Sequence, residues 1–218
     1  MAGKRREKTT AFNRANILES AYELFRQKGI AGTTMDDIAK HSDYSKTTIY
    51  KYFASKEELA FHLIFEGVES FQTKLQDDAE QSHTFAEFYK RFCASVVEIQ
   101  TKYPLYYDGI IGANPIDEKN PPSDIHKRIY ISGEDINDII ETQLMKAKKT
   151  KEITIEDDVS ATIIFMRLCI MGIVEKISLK EEYIFYKLGK TKSEFLEFAF
   201  NKLFDLFLQF PGDRKKKP

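Results

Sequence analysis

Residues 33–59 read TTMDDIAKHSDYSKTTIYKYFASKEEL. The stretch holds two short helical patterns joined by a tight turn, then a stop and a third helix start. Residues 35–42 put Met35, Ile38 and Ala39 on one inward face, and Asp43-Tyr44 makes the turn. Ser45 stands where it caps a second helix, whose Ile49 and Phe53 point back to the same core. Lys46, Thr47, Thr48, Tyr50 and Lys51 are left facing outward. A helix that enters a DNA major groove needs such a polar face near its N-terminal end. Lys bonds guanine acceptors, Thr bonds a base or packs on a thymine methyl, and Tyr reaches bases or phosphates. Thr34, Tyr52 and Lys56 flank this surface at helix ends and suit phosphate contacts, which set register rather than sequence. The residues expected at DNA are therefore Thr34, Ser45, Lys46, Thr47, Thr48, Tyr50, Lys51, Tyr52 and Lys56.

Charge is distributed in a way that agrees. The whole chain of 218 residues carries a formal net charge of −1. Residues 1–56 hold 11 Lys/Arg against 6 Asp/Glu, whereas residues 57–218 hold 22 against 28. A basic head on an acidic body implies a polyanion partner for the head alone. Cys93 and Cys169 are the two cysteines, with no CxxC spacing, which fits a reducing cytoplasm and argues against a disulfide scaffold. The N-terminal MAGKRREKTTAF has charge without a following apolar core, so it does not read as a secretory signal. The longest apolar run, residues 159–174, is shorter than the ~20 residues a bilayer span needs, and Arg167 interrupts it. The expectation is a cytoplasmic protein with no membrane partner.

Helical spacing runs through nearly the whole chain. Thr34 with Asp37, Ser55 with Glu58, Thr84 with Glu87, Thr154 with Asp157 and Thr191 with Glu194 fit the [ST]-x-x-[DE] spacing of a capping box. Each precedes a periodic apolar segment, so the pattern predicts an all-α fold. The first helix is expected over residues 12–28 with Gly29 as its stop, and others over 84–102, 124–149, 155–177 and 192–210. Pro104 is placed to open a short helix, residues 114–123 with three prolines read as a loop, and residues 180–190 are ambiguous.

The 33–59 string resembles the DNA-binding domain of the tetracycline-repressor (TetR) family of bacterial transcriptional regulators. Thr33, Thr34, Ile38, Ala39, Ser45, Thr48, Tyr50, Phe53, Lys56 and Leu59 stand where that family's pattern has the same residues, and residues 23–32, ELFRQKGIAG, look like the end of its first helix. The likeness covers residues 12–65. It departs at the turn, where the family's usual Ala-Gly-Val is Ser42-Asp43-Tyr44. Gly at that place allows a left-handed backbone, and Asp adopts it at some cost. The resemblance implies a three-helix helix-turn-helix head and a helical ligand-binding and dimerisation domain. The expected division is a flexible basic arm over 1–11, the head over 12–55, the body over 56–212 and a basic tail over 213–218. The arm's Lys4, Arg5, Arg6 and Lys8 read either as a solvated tail or as a further DNA contact.

Two C-terminal helical segments are apolar on most sides and need covering. A two-fold partner offering the same two helices would complete a four-helix interface. Its expected residues are Ile163, Ile170, Ile173, Val174, Phe195, Phe198, Phe200, Phe204 and Phe207. A homodimer would also set two recognition helices on a pseudo-palindromic operator in double-stranded DNA. The resemblance further implies a small-molecule cavity among the aromatics of the middle of the chain. Phe88, Phe92, Tyr103, Tyr106, Tyr107, Tyr130, Phe165, Met166, Arg167 and Cys169 are the candidates for its lining. His41, His62, His83 and His126 lack metal-ligand spacing, and no nucleophile or phosphate-loop signature is present, so neither a metal, a cofactor nor an enzyme activity is expected. The reading is a ligand-responsive repressor, with control by a protein partner as the alternative.

Overall fold

The computed structural model describes residues 2–111, 123–155 and 158–207, which form ten helices and no strand. The helices are α1 (Ala2–Lys28), α2 (Met35–His41), α3 (Lys46–Tyr50), α4 (Lys56–Gln81), α5 (Phe85–Lys102), α6 (Pro104–Ile111), α7 (Asp124–Lys149), α8 (Val159–Ser178), α9 (Glu181–Leu188) and α10 (Lys192–Phe207). They divide into two compact units, one of residues 1–67 with 114–129 and one of residues 68–113 with 130–218. The first unit therefore extends past the expected head at 12–55. The expected loop at 114–122 and the tail at 213–218 lie outside the described residues.

Local chemistry sets most of the helix ends. Gly29, at φ 74°, ends α1 as its N–H bonds the Phe25 carbonyl at 2.9 Å. A Cβ at Gly32 would stand 2.4 Å from the Lys28 carbonyl oxygen, so the turn into α2 admits only glycine there. Thr34 and Asp37 form the complete capping box at α2, and Thr191 with Glu194 does the same at α10. At α4 and α5 the hydroxyls of Ser55 and Thr84 cap as expected, but Glu58 and Glu87 accept from Ala54 and His83, one residue before the cap. Residues 180–190, ambiguous in the sequence, contain α9.

Two expectations are corrected. Residues 2–11 are not an irregular arm: they continue α1 as helix. Lys, Arg and Glu are good helix formers, and adding turns to an existing helix is cheap compared with nucleating one. At α8 the start is Val159, with Asp158 accepting from the Ala161 N–H at 2.8 Å, rather than Thr154 capping a helix from 155. Ile153 and Ile155 are buried ahead of it and hold the chain in the core before the helix begins. Asp157 lies outside the described residues.

The core of the first unit is built by Ile17, Ala21, Phe25, Ile38, Ile49, Phe53 and Leu59, all almost without exposure. In the second unit α5 packs on α6 and α8, and α10 packs on α8 and α9. Phe88 stacks on Phe92, and Phe204 meets Phe85 and Tyr89. Asp78 is buried, yet its carboxylate accepts from Ser95 at 2.6 Å and Lys74 at 3.1 Å, which ties α4 to α5.

Candidate nucleic-acid interface

α3 is only five residues long, and a helix of that length has no stability of its own. Its shape is imposed at both ends. Ser45 accepts from the Thr48 N–H at 3.1 Å and shares a hydrogen bond with the Thr48 hydroxyl at 2.8 Å. Ile49 is fully buried, and Phe53 is nearly so. Across the turn, Asp43 takes the left-handed conformation at φ 57°. The Tyr44 N–H then bonds the Ala39 carbonyl at 3.1 Å, the closing bond of a Schellman turn. Asp43 thus does what glycine does in the related pattern.

α1 braces both flanks. The Asn13 side chain accepts from the Tyr44 hydroxyl at 2.9 Å and donates to the Tyr52 hydroxyl at 3.0 Å. Arg14 donates to the Tyr52 carbonyl at 3.0 Å and lies 4.3 Å over the Phe53 ring. Its other nitrogen is 3.3 Å from His62. Burial, and then the charges of Arg14 and Arg128, hold the His62 imidazole below its ordinary pKa, with Glu58 opposing them.

The nine residues expected at DNA fall into distinct groups. Thr47, Tyr50 and Lys51 are exposed, and their side chains make no hydrogen bond among the described residues. Lys46 is exposed but paired with Asp36 at 3.0 Å, an ion pair that raises its pKa. Ser45 and Thr48 are used in capping α3. Thr34 is used at α2, where Lys28 and then Thr34 itself hold the Asp37 carboxylate below the usual range. Tyr52 is half-buried in the Asn13 network. Lys56 donates to the carbonyls of Ile30, Ala31 and Thr33 at 2.9, 3.3 and 3.0 Å, so all three of its N–H donors are engaged inside the head. Asn13 and Arg14 escaped the sequence reading, because their partners lie some forty residues away in the chain.

In the second unit the aromatic candidates separate in a similar way. Phe88, Phe92, Tyr106, Tyr107 and Met166 are buried, Tyr103 and Tyr130 are half-buried, and Phe165 is exposed on α8 instead of lining an interior. The Tyr107 hydroxyl donates to the Met171 carbonyl. Arg167 donates to the Asn137 side chain, and its surroundings lower its pKa by burial, against the influence of Tyr106 and Glu134. Burial pushes the Cys93 thiol up to about 12, which leaves it unreactive, and Cys169 is raised for the same reason.

The expected dimer residues are corrected in part. Ile163, Ile170, Val174 and Phe200 are buried within their own chain, because α8 turns that face to α5 and α10. Phe204 turns inward as well, onto Phe85 and Tyr89. The side chain of Phe207 lies outside the described residues. The apolar side chains that do face outward are Ile164, Phe165 and Leu168 on α8, with Phe198 and Leu206 on α10. Beside them a groove of about 880 Å³ runs between α8, α9 and α10, with Gly172, Ile173 and Phe195 on its walls. No described helix is long and apolar enough to cross a membrane.

Comparison with known proteins places the same residues in one family. Residues 17–63 match the bacterial regulatory proteins of the tetR family. The HTH-type transcriptional regulator YfiR of Bacillus subtilis is 38% identical over 72 residues, which span 33% of this chain and 35% of YfiR. IcaR of Staphylococcus aureus, the negative transcriptional regulator of the biofilm operon icaADBC, is 24% identical over 198 residues, covering 88% of this chain and 97% of IcaR. Among solved structures, FadR of Bacillus subtilis in complex with stearoyl-CoA superposes with a TM-score of 0.66 at 17% identity, over 87% of this chain and 96% of FadR. The ketosteroid regulator KstR2 of Mycobacterium tuberculosis gives 0.67 at 16% identity, over 90% and 95%. These two likenesses speak for the fold.

Proposed function

We propose that the chain, whose residues 17–63 match the tetR family of bacterial regulatory proteins, is a homodimeric transcriptional repressor released from its operator by a small molecule. The observation that carries the DNA half is the state of α3. Its apolar side is locked into the head, its two ends are braced by α1, and Thr47, Tyr50 and Lys51 stand exposed between them. Such a helix meets base edges in a fixed orientation. The dimer reading rests on the outward apolar side chains of α8 and α10, which water would otherwise cover. IcaR, a negative regulator, matches over most of both chains, which favours repression.

FadR holds stearoyl-CoA on a similar fold, and this body has a buried aromatic interior with Arg167 and Tyr106 among its polar members. An effector acts by binding the DNA-incompetent state of the dimer more tightly than the competent one. A second reading, control by a protein partner, is favoured by α9, whose Tyr183, Phe185, Tyr186 and Leu188 are all exposed.

Selection of duplexes from a random pool, followed by anisotropy titration, tests the DNA reading. The expected product is an enriched pseudo-palindrome whose affinity falls steeply with salt. Thr47→Ala/Tyr50→Ala should abolish its binding while the fold survives. No enrichment, or unchanged binding by the double variant, would sink the reading.

A further inference from the structure

α1 begins far in front of the core it serves. It runs unbroken from Ala2 to Lys28, yet its first fully buried residue is Ile17, and residues 4–12 are exposed. Residues 4–10 read KRREKTT: four cations, one anion and no apolar side chain. Without an apolar side chain this segment has nothing to offer a membrane interior or a hydrophobic protein groove. Its cations suit a polyanion.

The segment also has a fixed direction. At residues 13–14, α1 touches Tyr44 and Tyr52, which stand immediately before and after the recognition helix. Everything N-terminal of Asn13 therefore leaves the head from beside α3. Arg6 is seven residues before Asn13, two helical turns, and so lies on the same face, whereas Arg5 is turned roughly 80° away from it. At a rise of about 1.5 Å per residue Arg6 stands roughly 10 Å beyond the Asn13 contact. That is on the order of three base pairs along a duplex, whose base pairs repeat every ~3.4 Å. Lys4 and Lys8, two residues to either side of Arg6, project from the side of the helix opposite to it.

We propose that the helical extension is a phosphate strap. Arg6 bonds a backbone phosphate just outside the half-site that α3 reads, and so lengthens the footprint of each protomer. The guanidinium fork suits this contact, because it can donate two parallel bonds to one phosphate. The proposal rests on the DNA-binding reading above.

The test measures binding of the selected duplex as a function of salt for three full-length proteins: wild type, Arg6→Ala, and Lys4→Ala. The two variants lose equal charge from opposite faces. Two lost phosphate contacts, one from each protomer of the dimer, should make the slope of log K against log salt shallower by about 1.8 in the arginine variant. The lysine variant should change by less than half as much, and hydroxyl-radical footprints of the arginine variant should lose their outermost protected sugars. An unchanged slope in the arginine variant, or equal changes in both variants, overturns the strap. Failure of the strap alone is recognised because wild type still binds and Thr47→Ala/Tyr50→Ala still does not. If wild type enriches no duplex, the strap falls together with the reading beneath it.

Discussion

The ammonium of Lys56 donates to three backbone carbonyls around the turn between α1 and α2, one of them from the fully buried Thr33. Hydrogen bonds from a charged donor contribute about 1.5–3 kcal/mol each when removal strands their acceptors, and partial hydration here lowers the sum. Lys56→Met keeps the aliphatic stem and should destabilise the protein by about 1–3 kcal/mol. A urea titration reads that loss, and a variant as stable as wild type would show the three bonds to be inconsequential. His62 makes a pH-dependent contribution of opposite character. Its folded pKa lies below the ordinary 6.5, so between those two values the unfolded chain binds the proton more readily than the fold. Stability then falls as pH drops below about 6.5 and levels off beneath the folded value. His62→Gln keeps a polar group near Arg14 and removes this proton. Its unfolding midpoint should be flatter than wild type between pH 6.5 and 5.5, with a residue of slope left by His126, which burial also lowers.

At the scale of the element, the turn between α2 and α3 carries the orientation of the recognition helix. Asp43 holds the left-handed conformation that β-carbon sterics disfavour by roughly 1–2 kcal/mol, less for Asp than for most residues. Asp43→Gly should therefore raise stability by about 0.5–1 kcal/mol in the same urea titration and leave operator affinity unchanged. A destabilised variant would mean that the Asp43 side chain contributes something the backbone argument omits. The turn also shows what a sequence can convey. The caps of α2, α3, α5 and α10 and the stop at Gly29 depend on residues within four positions of one another, and they are readable for that reason. So are the outward Thr47, Tyr50 and Lys51, since Ile49 and Phe53 fix the inward side. The engagement of Lys56 and Tyr52 is not readable, because Ile30, Thr33, Asn13 and Arg14 reach them only through the fold. Nor is the start of α8, where Thr154 and Asp158 are comparable caps and the burial of Ile153 and Ile155 decides between them. The inward faces of α8 and α10 are hidden for a different reason. Both helices are apolar almost all round, so spacing gives no direction until α5 packs against Ile163, Ile170 and Val174.

For the whole molecule, the decisive quantity is how many heads one particle presents to DNA. Leu168 is 64% exposed and Leu206 72% exposed, with Ile164, Phe165 and Phe198 beside them on the same two helices. Exposed apolar side chains grouped on two packed helices mark a contact with another molecule, and in the proposed homodimer a two-fold copy covers them with the same surface. Leu168→Glu places a charge in that contact without touching the core, so helix content by circular dichroism should stay at the wild-type value. Sedimentation should show a monomer. Operator affinity should fall by about 10²- to 10⁴-fold, because the second half-site is no longer held at high effective concentration. The salt slope measured on an isolated half-site should stay that of the wild-type head, since each recognition helix is untouched. A Leu168→Glu protein that still sediments as a dimer would move the interface away from α8. The exposed aromatics of α9 would then be the next surface to charge, through Tyr186→Glu, and the two heads would have to reach their half-sites through a different pairing of the body.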